Sequence, residues 1–231
     1  MQPSRKILCT RLLDQQFISK AATHNIRIDA LPFIEIKKVE TAQFKAEVQQ
    51  LALQNIYAAF TSINAVESVG NILESQPGWK IFCIGGVTKD GVVKYLGEDN
   101  IQASAKNASV LARKIIDAGN IKEVYFFCGD QRLDDLPETL RTNNISVQEV
   151  IAYHTLQTPQ DLEEDYDGVM FFSPTAAHSF FSSNTIPTNI PLFSIGKTTT
   201  ATIQSYCTNE VITSEWPGQD NLVERVVEYF G

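Results

Sequence analysis

The sequence predicts an α/β protein with two similar halves, each a parallel sheet flanked by helices. Two repeat registers carry that prediction. Residues 171–181 read FFSPTAAHSFF and residues 192–203 read LFSIGKTTTATI. Each is an apolar run that ends in Ser, Thr or Gly, where a helix begins. The same pair stands earlier as FTSINAVESV and IFCIGGVTKDGV, at a constant distance of 111 residues and with no gap. Phe60 maps to Phe171, Ser62 to Ser173, Ala65 to Ala176, Phe82 to Phe193 and Thr88 to Thr199. A second block repeats at a distance of 119 residues, pairing Cys9 with Cys128, Asn25-Ile26 with Asn144-Ile145 and Leu31 with Val150. A chain that repeats itself over most of its length has its architecture set by the repeat. Strands that alternate with helices form units around parallel sheets.

Each element follows from local pattern. Residues 6–10 (KILCT) are a short apolar strand, 13–24 a helix with Leu13, Phe17 and Ala21 at helical spacing, and 26–30 an alternating strand. Residues 31–37 (LPFIEIK) are extended, because Pro32 bars a helix there. Thr41 can cap a helix running through residue 53. Strands follow at 56–61, 80–84 and 101–103, with helices at 63–73, 88–96 and 109–118, the last stopped by Gly119. The second half resumes with a strand at 123–128, a loop at 129–132, a helix at 134–143, an extended piece at 145–150 and a connector at 151–158. The last strands are 167–172, 190–195 and 210–213, with helices starting near Pro174, Lys197 and Pro217. The repeated Phe, Ile and Val at these spacings are core positions.

Composition narrows the function. With 43% hydrophobic and 20% charged residues, the 231-residue chain is an ordinary globular protein. No apolar run approaches the roughly 18 residues a membrane helix needs. The apolar run near the N-terminus, Ile7-Leu8-Cys9, is too short for a signal peptide, so a cytoplasmic protein is expected. A net charge of −8 argues against a nucleic-acid footprint, which needs a basic face. An anionic small ligand stays possible, since helix N-termini and backbone N–H groups can hold one. Cys9, Cys83, Cys128 and Cys207 form no CxxC pair and read as buried free thiols. His24, His154 and His178 are too scattered for a metal site. A monomer is expected, as no extra apolar surface stretch stands out.

The repeated Ser, Thr and Gly at strand ends point to chemistry. In open α/β sheets ligands sit beyond the carboxyl ends of strands. Helix N-termini there offer unpaired N–H groups and a partial positive charge. Ser62, Thr88, Ser173, Thr175, Thr198 and Thr199 all fall at such ends. Any one of them reads as a simple cap. The same cap pattern in both halves points to an anion-lined cleft.

In order along the chain stand TR at Thr10-Arg11, FTSINAV at 60–66, IGGVT at 84–88, a G-x-x-R loop at 129–132, AYHT around Tyr153, FFSPTA at 171–176 and IGKTT at 195–199. The series resembles the uroporphyrinogen-III synthase family over the full chain. Lys197 and Leu12 depart from it, each standing where many members have Pro. The resemblance implies two α/β lobes joined by a pair of antiparallel strands, at 31–37 and 151–158. It implies one lobe of 1–35 plus 155–231 and another of 36–154, whereas the repeats alone divide the chain near residue 120. It implies a lyase that needs no cofactor or metal and cyclises hydroxymethylbilane, a linear tetrapyrrole, to uroporphyrinogen III with inversion of the fourth ring and loss of water. Tyr153 matches the tyrosine that helps hydroxide leave. Substrate contacts are implied for Arg11, Thr61, Ser62, Thr88, Gly129, Arg132, Ser173, Thr175, Gly196, Thr198 and Thr199. From the residues alone, Tyr153 reads instead as a tyrosine packed between the lobes with its hydroxyl satisfied. Arg11 and Arg132 are either carboxylate forks or members of the protein's own ion pairs. The rival reading is a non-catalytic two-lobed binding protein for an anionic metabolite. An electron carrier or phospho-sugar enzyme is weaker, because no Gly-rich phosphate loop is present.

Overall fold

The computed structural model describes residues 5–216 and 218–231. The elements are β1 (Arg5–Cys9), α1 (Gln15–Thr23), β2 (Ile26–Ala30), β3 (Ile34–Lys38), α2 (Ala42–Ala52), β4 (Tyr57–Phe60), α3 (Ile63–Gly70), β5 (Lys80–Ile84), α4 (Val87–Leu96), β6 (Ile101–Ala105) and α5 (Ala108–Asp117). They continue with β7 (Glu123–Gly129), α6 (Asp135–Thr142), β8 (Ser146–Gln157), β9 (Gly168–Phe171), α7 (Pro174–Phe181), β10 (Leu192–Ser194), α8 (Lys197–Gln204), β11 (Val211–Thr213) and α9 (Gln219–Phe230). The start expected near Pro217 for the last helix lies outside the described residues.

Two compact units result. One runs through Glu35 and resumes from Leu156 to Gly231; the other is Ile36–Thr155. The repeat boundary near residue 120 is therefore not the structural boundary. The sheets explain why. The strand order of the first unit is β2-β1-β9-β10-β11, and that of the second is β8-β7-β4-β5-β6 with β3 added beside β8. By the two repeat registers, β7 and β8 are the counterparts of β1 and β2, and β4 to β6 of β9 to β11. Each sheet thus takes its leading strand pair from one half of the sequence and its other three strands from the other half. Apart from the edge pairing of β3 with β8, neighbours are parallel. The order reverses between β1 and β9, and between β7 and β4. These are topological switch points, where a crevice opens beyond the strand ends.

The segment expected as two pieces, 145–150 and 151–158, is a single twelve-residue strand, β8. Its first part follows β7 in parallel, and its last part runs beside β3, so no turn separates them. The N–H of Val39 bonds to the Ala152 carbonyl and that of Thr158 to the Phe33 carbonyl, which makes this pairing antiparallel. Residues 31–33 fall short of β3, because the N–H groups of Leu31 and Phe33 are taken by the carbonyls of Cys9 and Thr10.

Both faces of each sheet are buried, as parallel sheets require. Alternation along the strands divides the core. In the second unit Ala58, Phe60, Cys83 and Phe127 face α2, α3 and α4, while Ala59, Phe82, Phe126 and Cys128 face α5 and α6. Phe127 stacks on Phe60 and Trp79 at centroid distances of 5.0 and 5.2 Å. In the first unit Ile7, Cys9, Met170 and Phe193 pack with α1 and α9, and Leu8, Val169, Phe171 and Leu192 with α7 and α8. Helix ends follow local chemistry. Thr41, Ser62, Asn107 and Ser173 cap α2, α3, α5 and α7 with their side chains. Asn25 and Asn144, equivalent in the repeat, both take the left-handed conformation at φ 59° that asparagine tolerates.

Candidate active site

The switch point of the second unit lies between the ends of β7 and β4, and the tyrosine expected from sequence reaches it. Tyr153 belongs to β8, the strand beyond β7. Its hydroxyl donates to Ser62 Oγ at 3.1 Å, at the end of β4. To get there the ring must pass over β7, and it does so at Gly129. A Cβ at residue 129 would stand 2.5 Å from Cε2 and Cζ of Tyr153. Only glycine leaves room. The register also helps. Cys128 pairs with Ile151, but Gly129 pairs with Tyr153, so one extra residue of β8 is accommodated there. Such an irregularity re-aims the side chains that follow it.

Ser62 has two duties. Its Oγ accepts from the Asn64 N–H at 3.2 Å, capping α3, and from the Tyr153 hydroxyl. Burial pushes the Tyr153 phenol above its ordinary range, against hydrogen bonding at Ser62 and Asn64. At neutral pH the group keeps its proton. The loop after β7 is tied down beside it. Arg132 Nε donates to Glu149 Oε2 on β8 at 2.5 Å, and its remaining fork engages Asp134. Glu149 also takes Arg141 at 2.6 Å. Hydrogen bonding from Arg132 holds the Glu149 carboxyl below its ordinary range. The neighbouring Cys128 thiol is pushed up to about 12, chiefly by burial, and is inert.

The first unit has the same frame with other contents. At its switch point Ser173 caps α7 by accepting from the Ala176 N–H at 3.0 Å, and among the described residues no phenol is bonded to it. Thr10 is fully buried and donates to the Met170 carbonyl at 2.8 Å. Arg11 is exposed, with its guanidinium 5.4 Å from the centre of the Phe172 ring and Nε bonded to the Leu12 carbonyl. Behind Gly196, the hydroxyls of Ser194, Thr200 and Thr213 form a chain at 2.5 and 2.6 Å.

The expected site residues thus separate into groups. Tyr153, Ser62 and Gly129 come together at one switch point, with half-buried Thr61 adjacent. Arg132 lies in the same loop but gives its fork to the protein's own carboxylates. Ser173, half-buried Thr175, Arg11, Gly196 and exposed Thr198 line the strand ends of the first unit. Thr88 and Thr199 differ from expectation: each is only 2% exposed, turned into the core from the first turn of its helix. Their helices, α4 and α8, begin at Gly86 and Gly196 with no side-chain cap. The first amides there are left for a ligand or water. Sequence reasoning missed Asn64, Glu149 and Asp130. The last could have been found by carrying the longer repeat one step further, since it sets Thr10-Arg11 against Gly129-Asp130.

The sequence matches the family model described as uroporphyrinogen-III synthase HemD over residues 15–224. The chain belongs to the uroporphyrinogen-III synthase family. A comparison with curated protein sequences returns no match. Among solved structures, a mutant uroporphyrinogen III synthase from Thermus thermophilus superposes with a TM-score of 0.68 at 14% identity, covering 97% of each chain. The uroporphyrinogen-III synthetase of Helicobacter pylori gives 0.65 at 15% identity, covering 97% of this chain and 99% of that one. At such identities the likeness establishes the fold. As in other uroporphyrinogen-III synthase family members, the frame is mixed α/β with parallel sheets flanked by helices. Among the described residues no helix is long and apolar enough to cross a membrane, and no group of three or more His, Cys, Asp or Glu could hold a metal ion.

Proposed function

We propose that this chain closes hydroxymethylbilane to uroporphyrinogen III, with Tyr153 as the proton donor to the departing hydroxide. The observation that carries the reading is the phenol itself: half-buried, aimed over Gly129 and held at Ser62 on a switch point. The C–O bond of the terminal hydroxymethyl group breaks, and the Tyr153 proton converts the leaving hydroxide to water. The bilane is left as an electrophilic azafulvene. The fourth pyrrole attacks through its substituted carbon, and the spiro intermediate fragments and recloses with that ring inverted. The last step releases a ring proton, which restores the phenol. Atoms balance as bilane giving macrocycle plus water.

The rest of the work is geometric. The free bilane closes on its own to the symmetric isomer, so the protein must make one carbon, rather than its neighbour, meet the electrophile. A polycarboxylate is gripped at its rim. In the second unit, which carries Tyr153, the uncapped first amides of α4 are suited to this. Arg132, paired with Glu149 and Asp134, holds its loop instead.

Freshly made hydroxymethylbilane tests the reading. Product should be type III above the spontaneous background; type I alone would refute it. Tyr153→Phe should lower kcat by about 10²-fold, the scale of a lost general acid, with product affinity nearly unchanged. Full turnover in that variant would reduce Tyr153 to packing.

A further inference from the structure

We infer that Asp130 is a positioning residue for Tyr153, acting as a clamp that fixes the end of β8 from which the phenol projects. The inference rests on the role just proposed for Tyr153. Asp130 engages three successive residues of that strand. Its backbone N–H donates to the Tyr153 carbonyl at 3.2 Å. One carboxylate oxygen accepts from the Thr155 N–H at 2.9 Å. The other lies 3.0 Å from Nδ1 of His154. The clamp therefore holds the two peptides that follow the tyrosine and the His154 side chain between them.

Its position explains the need. The β7–β8 ladder shifts register between Cys128 and Gly129 and ends at the Gly129–Tyr153 pair, one residue short of Asp130. Beyond that point β7 gives β8 no further strand pairing, and the bonds from Asp130 replace it. Gly129 clears the path of the ring but, lacking a side chain, does not steer it. The equivalent place in the other unit sharpens the point. There the repeat puts Arg11, whose guanidinium bonds the Leu12 carbonyl and lies 5.4 Å from the centre of the Phe172 ring. The unit without the phenol is also the unit without the clamp. Burial is the main cause that keeps the proton on Tyr153, and the negative charge of Asp130 adds to it by disfavouring the phenolate.

A role through Tyr153 makes two demands. Loss of the clamp should change turnover rather than binding, and it should matter only while the phenol is present. The experiment measures kcat, KM and the isomer ratio for Asp130→Ala and Asp130→Asn, each alone and combined with Tyr153→Phe. Asp130→Ala should lower kcat on the order of tenfold or more, as misplacement of a reacting group does, with KM little changed. Asp130→Asn retains an acceptor for the Thr155 N–H and should recover most of that loss. In the Tyr153→Phe background, Asp130→Ala should cost nothing further, because residues that act as one unit are not additive. Losses that multiply, or an Asp130→Ala enzyme with the wild-type kcat, would overturn the inference. A second readout needs neither turnover nor the alanine variant. The phenolate absorbance step owed to Tyr153, obtained by difference from Tyr153→Phe, should move to lower pH in Asp130→Asn; an unmoved step counts against the clamp. The underlying reading fails separately, through wild-type protein that yields only type I or Tyr153→Phe at full rate.

Discussion

The two switch points are copies of one design, and they differ in what fills the strand end. In the first unit Thr10 fills the space at the end of the strand and bonds the next strand's carbonyl. In the second the matching residue is Gly129, and a tyrosine from the neighbouring strand crosses the gap that the missing side chain leaves. Both units keep the serine cap. In one it only starts a helix; in the other it also receives a phenol. Duplication supplied the frame and the caps. A vacated side chain and a tyrosine, set apart in sequence but adjacent in the sheet, supplied the phenol.

The strongest way to break this comparison is to copy one unit into the other. Gly129→Thr puts the first unit's residue in the second and drives the Tyr153 ring from Ser62. Turnover should drop about as far as in Tyr153→Phe, roughly 10²-fold, while the protein still folds. Near-normal turnover would mean the crossing is not required. The serines sharpen the comparison next. Ser62→Ala and Ser173→Ala each remove a helix cap and should cost about 1 kcal/mol, readable as a fall of a few degrees in Tm. Only Ser62→Ala should also lower kcat, since only Ser62 holds the phenol. Equal kinetic effects would count against the asymmetry.

The smallest effect concerns acid stability. The Glu149 carboxyl is held below its usual 4.5 in the folded protein by Arg132 and Arg141. Its contribution is therefore complete above pH 4.5 and is lost as the pH falls through the folded-state value. Glu149→Gln should reduce stability at pH 7 by about 1 kcal/mol, intermediate between exposed and buried pairs. That deficit should shrink as the pH is lowered. A deficit independent of pH would mean that the pair contributes through packing alone.

Most of the frame was legible because it is written locally. Cap residues, apolar alternation and the asparagines that end α1 and α6 act within a few positions of themselves. The repeat registers then placed equivalent strands. The crossing at Gly129 was not legible, because its meaning depends on a residue 91 positions away from its partner, Tyr153 with Ser62, and on a slip in register that no composition records. The two readings of Arg132 stayed open for a related reason. Whether a guanidinium is free for a ligand depends on which carboxylates the fold brings to it, and Glu149 sits on the adjacent strand. Thr88 and Thr199 looked outward in a linear motif, but the turn of the helix faces them inward.

The exchange of strands between the sequence halves also bears on how the protein is made. The second unit, Ile36–Thr155, is continuous in the chain and can assemble as soon as it leaves the ribosome. The first cannot, because the Thr10 side chain must find a partner 160 residues further on. Its opening strands emerge first and wait longest, with apolar Ile7, Leu8 and Cys9 uncovered until β9 arrives. Closing so long a loop is slow. The half of the molecule that carries the phenol thus forms early, and the half that completes late is the one vulnerable to aggregation during synthesis.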